Sequence, residues 1–295
     1  EPDRETLHQL LTEYGFGRLI KELTAQATLS HEQYHCVTDM ATLTLLAENL
    51  KASGSFAFDT ETTGLDPRTA ELVGISFSCR DHEAWYIPLN HRYLGVPEQL
   101  SANLVKEHIG PLFADSSIKK VGQNLKFDLQ VLATAGYTVH GCHFDTMLCS
   151  YLLAPSRGGH GLDAMAQEYF NHRMLSYDDV TGTGKNRICF SEVALPLATR
   201  YAAEDADVTW LLYHALHERL EASGMAALLY ELEMPLMEIL TAMEMHGVLL
   251  DRALLTRLSS DFGEQMQARE GEVYHLAGGP FNLNSPRQLE EILFD

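Results

Sequence analysis

Apolar positions along the chain follow two different periods. The run Ser55-Phe56-Ala57-Phe58 is unbroken and aromatic, which predicts a buried strand near 55–59. Runs near 71–79 and 84–89 predict two more strands that continue it as an antiparallel meander, and a run near 118–121 predicts a strand added in parallel. Gly64, Asp66 and Pro67 supply the turn chemistry that closes the first strand. Helical spacing predicts helices near 97–114, 124–136, 145–153, 161–170 and 191–222, with two more at about 226–246 and 251–277. The first 30 or so residues read as polar helix. Together these elements predict an α/β fold: a mixed sheet of about five strands flanked by helices, followed by a helical segment. The expected divisions are a helical connector over 1–34, the α/β domain over 35–222 and the helical segment over 223–295.

Acidic residues fall at informative places on these elements. Asp59 and Glu61 lie in Phe58-Asp59-Thr60-Glu61-Thr62, two apart on a strand, so they share a face and Thr60 points the opposite way. Asp128 ends Gly122-Gln123-Asn124-Leu125-Lys126-Phe127-Asp128, beside the apolar stripe of a helix start. Tyr201 and Asp205 are i, i+4 neighbours on the long helix near 191–222. Asp207, six positions from Tyr201, is roughly 240° around that helix and should face elsewhere. Oxygen ligands drawn from distant segments suit magnesium-type ions acting on phosphodiesters. A single Asp is ordinarily a cap, a turn former or a solvated charge. That plainer reading is kept for Glu204, Asp207, Asp145, Asp163, Asp178 and Asp179, taken as surface charge or caps.

These segments resemble the 3′–5′ proofreading exonuclease region of bacterial family A DNA polymerases. The match consists of acid-x-Glu on a strand, Asn-x-x-x-Asp at a helix start and Tyr-x-x-x-Asp on a later helix. It extends to Phe144-Asp145-Thr146-Met147-Leu148, to Glu204-Asp205-Ala206-Asp207-Val208-Thr209, and in the tail to Glu233-Met234-Pro235-Leu236 and Phe281-Asn282-Leu283-Asn284-Ser285-Pro286. The resemblance is most specific over Ser55–Leu220 and implies a ribonuclease H-like sheet. It further implies that residues 223–295 open a polymerase domain, leading into its thumb.

The resemblance implies a two-metal exodeoxyribonuclease that trims single-stranded or frayed DNA 3′ ends and releases nucleoside 5′-monophosphates. Asp59, Glu61, Asp128 and Asp205 are then the ligands of two divalent ions, Mg²⁺ in first place with Mn²⁺ or Zn²⁺ as substitutes. Tyr201 joins them as a catalytic residue. A phenol is a poor general base at neutral pH, so Tyr201 positions the attacking water. Tyr at this place marks the tyrosine subclass of these exonucleases. Substrate contacts are implied at Thr62, Leu65, Gln123, Asn124 and Tyr177, with Leu65 wedging against the terminal pair and Tyr177 stacking on the frayed end. The expected partners are a DNA 3′ end and a covalently linked polymerase domain, and the expected state is a monomer. Two alternatives stand beside this reading: an RNA-trimming 3′–5′ exoribonuclease of the ribonuclease D type, and a catalytically silent editing module.

Other constellations carry less. His140-Gly141-Cys142-His143 lacks a second ligand pair for zinc and reads as a turn with surface histidines. Gly182-Thr183-Gly184-Lys185-Asn186 lacks the full phosphate-loop pattern and reads as a loop near the active site. Five scattered cysteines in 295 residues, with no signal peptide and no transmembrane-length apolar run, predict a reducing, cytoplasmic setting without membrane contact. A first residue of Glu, and an end before any palm or fingers motif, predict an excised piece that does not polymerise. The net charge of −20 opposes polyanion binding, although 13 acids against 4 basic residues from Glu221 onward place −9 of it outside the candidate nuclease. Weak, salt-sensitive DNA binding is expected.

Overall fold

The computed structural model describes residues 6–7, 10–11, 14, 31–156 and 158–294. Six strands among them form one mixed sheet: β1 (Gln33–Cys36), β2 (Ser55–Thr62), β3 (Leu72–Arg80), β4 (Glu83–Pro88), β5 (Lys119–Gly122) and β6 (Cys142–Asp145), in the order β1-β4-β3-β2-β5-β6. The β2-β3-β4 meander is antiparallel, and β5 adds to β2 in parallel. These are the four strands that the apolar pattern signals. The two edge strands β1 and β6, paired in parallel with β4 and β5, were not signalled. Each has four residues, too few to establish a period. Cys142 and His143 therefore lie in a strand and not in a turn, and His143 stacks on Tyr230 with ring centroids 5.0 Å apart.

Helices cover both faces. On one, α1 (Met40–Ser53) and α2 (Ala102–Ala114) bury Leu43, Leu46, Leu50, Ile109 and Phe113. Phe56 and Phe58 of β2 meet Phe113 edge to face, at centroid distances of 5.9 and 5.0 Å. α2 begins later than the pattern near 97 predicts, because the Ser101 side chain accepts from Leu104 N–H and fixes the first turn there. Next come α3 (Leu125–Thr134), α4 (Thr146–Leu153), α5 (Leu162–Phe170) and the short α6 (Tyr177–Thr181). The long α7 (Leu195–Ser223) crosses the other face over β2, β3 and β4. Residues 191 and 192, expected in that helix, belong instead to a separate 3₁₀ turn, Phe190–Glu192.

After Gly224, α8 (Met234–His246) follows a π-helical turn at Leu229–Glu233. Glu244 ties α8 to α3 by accepting from Lys126 Nζ at 2.6 Å and Gln130 Nε2 at 2.7 Å. The compact unit containing the sheet runs to Met245, and residues 246–295 form a second. That second unit carries α9 (Arg252–Leu276) and α10 (Pro286–Phe294). The expected connector over 1–34 falls mostly outside the described residues, and β1 begins within it at Gln33. No helix among the described residues is long and apolar enough to cross a membrane.

Candidate active site

The site is built at the end of β2, a central strand held between β3 and β5. Alternation sends Ala57, Asp59 and Glu61 toward α7, whereas Phe56, Phe58 and Thr60 take the opposite face. The α7 surface here is Ala198, Ala202, Ala203 and Ala206, all fully buried, so the helix backbone comes close enough for Asp205 to reach the strand. One oxygen from each of Asp59, Glu61 and Asp205 lies within 4.8 Å of the others. Gly74, the partner of Glu61 across the β2–β3 ladder, carries no side chain because the Tyr86 ring fills that space and a Cβ would overlap Tyr86 Oη.

Asp128 arrives from the other side. Its Oδ1 accepts from Thr60 N–H at 3.0 Å and from the Thr60 hydroxyl at 2.6 Å, so it sits over the strand end, outside the tight group of three. The expectation that Thr60 points away from Asp59 holds, and that orientation is what lets it grip Asp128. The start of α3 is held by Asp145, which accepts from Leu125 N–H at 2.8 Å and also caps α4 through Met147 and Leu148 N–H. Asn124 supports this turn in the left-handed region, at φ 59°.

The four acids strain one another electrostatically. Burial pushes the Asp59 carboxyl up to about 7. Glu61 is driven well above the usual range by burial and then by Asp59 and Asp128. Asp205 rises through burial and then through Asp59 and Glu61, and Asp128 through burial and then Asp59. Among the described residues, no donor reaches the buried Glu61 Oε1. An orphaned carboxylate oxygen among mutually repelling acids fits a divalent cation, and all four side chains offer the oxygen donors that such an ion takes. Burial and the same carboxylates push the Tyr201 hydroxyl far above its ordinary value, so it stays a hydrogen-bond donor.

A cleft of about 610 Å³ gathers every residue expected at the site: Asp59, Glu61, Thr62, Leu65, Gln123, Asn124, Asp128, Tyr177, Tyr201 and Asp205. Leu65 lines it while 94% exposed. Tyr177 stacks on Phe190 at 6.2 Å and meets Tyr201 edge-on at 6.3 Å. The Gln123 amide is already engaged, donating to His160 O at 2.8 Å and accepting from the Thr146 hydroxyl. Thr60 and Arg187 also line the cleft and were missed. Thr60 sits between the two motif acids, a position where strand alternation alone argued for it facing away. Arg187 follows a loop that has no motif of its own.

Three acids expected as surface charge or caps are buried instead. Asp145 is an N-cap, but a buried one with four backbone N–H donors. Asp207 faces away from Asp205 as expected, yet it is enclosed and accepts from the Tyr34 hydroxyl and His82 N–H, each at 2.8 Å. Glu204 accepts from Leu175 N–H at 2.7 Å and bonds both His172 and His31 Nε2, at 2.9 and 3.0 Å. For Glu204 and Asp207 the surface reading failed because α7 is enclosed on several sides, and for Asp145 because it sits where β6 runs into α4 beside the start of α3. Arg200 Nε donates to His31 Nδ1 at 3.2 Å, which leaves the His31 proton on Nε2, facing Glu204. In this arrangement the His31–Glu204–His172 cluster, whose donor atoms lie close together, acts as a hydrogen-bonded brace.

Residues 34–221 match the family described as 3′–5′ exonuclease. The chain is 40% identical to the DNA polymerase I of Pseudomonas aeruginosa over an alignment covering all of this chain and 34% of that protein. It spans about a third of the length of the curated relatives it matches. Its fold is similar to the POL domain of Pol1 from M. smegmatis, solved with DNA primer-template and dNTP, at TM-score 0.72 and 22% identity, covering 88% of this chain and 40% of that one. It is also similar to Brucella melitensis NrnC with bound Mg²⁺, at TM-score 0.51 and 26% identity, covering 74% of this chain and 97% of that one.

Proposed function

The chain belongs to the 3′–5′ exonuclease family of DNA polymerase I, and from that premise we propose a two-metal 3′–5′ exodeoxyribonuclease that edits single-stranded or frayed DNA ends. Its products are nucleoside 5′-monophosphates. The observation that carries this reading is the convergence of Asp59, Glu61 and Asp205, with Glu61 Oε1 lacking a donor among the described residues.

Asp59, Glu61 and Asp205 would hold one divalent ion, and Asp128 together with Asp59 the second. Bound there, the ions supply an acidified water, neutralise the phosphoryl oxygens and stabilise the leaving oxygen. The protein's own groups do the rest. Thr60 fixes Asp128, and Asp145 fixes the helix that carries it. Tyr201, locked as a donor, orients the attacking water together with Glu61. Tyr177, with Phe190 and Arg187 already against its ring, offers its remaining exposed aromatic surface to an unpaired base, and Leu65, Thr62 and Asn124 border the path of the strand. Stacking tolerates any base, as editing requires.

In the parent protein residues 223–295 would lead into a polymerase domain that delivers the primer end, and the setting would be the bacterial cytoplasm, with the chain acting as a monomer. The intact set of four acids and Tyr201 argues against a silent module. The test is digestion of 5′-labelled DNA and RNA single strands with Mg²⁺, Mn²⁺ or EDTA, comparing the unaltered chain with Asp59→Ala. Stepwise 3′ trimming of DNA that needs metal and Asp59 is expected. Trimming in EDTA, or equal activity of the variant, would overturn the mechanism; a strong preference for RNA would move the substrate to the alternative reading.

A further inference from the structure

Among the described residues lining the cleft, Arg187 is the one basic side chain, against four carboxylates. It stands at the exit of the Gly182–Asn186 loop, which is closed by Ile188 N–H donating to Thr181 O at 2.9 Å. Gly182, at φ 78°, allows the close return of Asn186. The guanidinium is held at two points: Nη2 donates to Asp178, and the group lies over the Tyr177 ring, 5.8 Å from its centroid. Among the described residues its Nε and Nη1 donate to nothing, and the side chain is 47% exposed. A planar fork with free donors, aimed by an aromatic ring beside an acidic cleft, suits a phosphodiester oxygen.

Resting on the exonuclease reading, we infer that Arg187 is a substrate-positioning residue: it binds a backbone phosphate of the single strand next to the scissile one, while the base of that nucleotide lies against Tyr177. Ions at the acids can neutralise the reacting phosphate only. The neighbouring phosphate would otherwise face a chain of net charge −20 with no counter-charge in the cleft. Asp178 is 53% exposed, so it steers the guanidinium without holding it away from solvent.

The test measures anisotropy of a 5′-fluorescein DNA 12-mer in Ca²⁺ across a salt series, alongside steady-state digestion in Mg²⁺, for the unaltered chain, Arg187→Ala and Arg187→Lys. In Arg187→Ala the slope of log K against log salt should fall by about 0.7, one phosphate's worth for a single strand. KM should rise about tenfold, and by more than kcat falls, with Arg187→Lys between the two. An unchanged slope and KM in Arg187→Ala would overturn the contact even if digestion is normal. If binding shows the slope change but no metal-dependent digestion occurs in any variant, the phosphate contact stands and the exonuclease reading fails.

Discussion

Thr60 and Asp128 are joined twice: the Thr60 hydroxyl and backbone N–H both donate to the same carboxylate oxygen, at 2.6 and 3.0 Å. The pair links β2, which carries Asp59 and Glu61, to α3, which carries the fourth acid. Only 2% of Asp128 is exposed, so this bond sets where its second oxygen points.

Thr60→Val keeps the branched shape and the N–H bond but removes the hydroxyl. Loss of a hydrogen bond to a charged group costs about 1.5–3 kcal/mol, and if most of that is felt in the transition state, kcat falls about tenfold or more. KM should move little, because Thr60 binds Asp128 and not the strand. Thr60→Ser should retain most activity. Single-turnover digestion of a 5′-labelled DNA single strand checks both, and equal losses in Ser and Val would show that packing, not the hydroxyl, matters.

Tyr201→Phe removes one oxygen while keeping the ring against Tyr177 and Phe190. If the hydroxyl is a positioned donor, kcat should fall about 100-fold with KM nearly unchanged. The shape of the pH–rate profile should persist, because a phenol held far above its usual range does not titrate in the working window. A rate that rises with pH in the unaltered chain through a limb absent from the variant would instead identify Tyr201 as the base.

Much of this site was legible in the chain because its signals are local. Acid-x-Glu on a strand and Tyr-x-x-x-Asp on a helix each fix a face within five residues, and Asp59, Glu61 and Asp205 meet where those faces cross. What stayed hidden is long-range. Nothing near Asp207 announces Tyr34, 173 positions away, and nothing near Glu204 announces His31, equally distant. The edge strands β1 and β6 are too short to show a period, so the sheet's full width also escaped. Asp128 entering from the opposite face belongs to the same class: helix phase gives its stripe, but only tertiary packing decides which side of β2 that stripe covers.

Glu204 illustrates what those distant partners do. Burial alone would raise its pKa, but hydrogen bonds from His172 and Leu175 N–H, with the nearby histidines, bring the net shift below the ordinary value. The brace joins α7 to the segment before α6. Glu204→Ala would leave buried His172 and Leu175 N–H without that acceptor, a loss of about 2–3 kcal/mol. A melting midpoint lower by about 5–10 °C is expected. Differential scanning calorimetry on the metal-free protein tests this, and an unchanged midpoint would mean that solvent or another group replaces the carboxylate.

The acids of the cleft should make the metal-free protein less stable as pH rises. Unfolded carboxyls ionise near pH 4, whereas folded Asp59 holds its proton up to about 7, and Glu61, Asp128 and Asp205 are shifted in the same direction. Between those values the native state binds more protons than the unfolded state, so stability falls with increasing pH across that window. In EDTA the melting midpoint should therefore decline from pH 5 to pH 8. Mg²⁺ or Mn²⁺ binds the ionised cluster and competes with its protons, so the gain in midpoint on adding metal should be larger at pH 8 than at pH 5. Glu61→Gln removes one repelling charge and should raise the pH 8 midpoint in EDTA while reducing the gain from metal. A midpoint that rises from pH 5 to pH 8 in EDTA would show that the four carboxylates do not carry the mutual strain their burial implies.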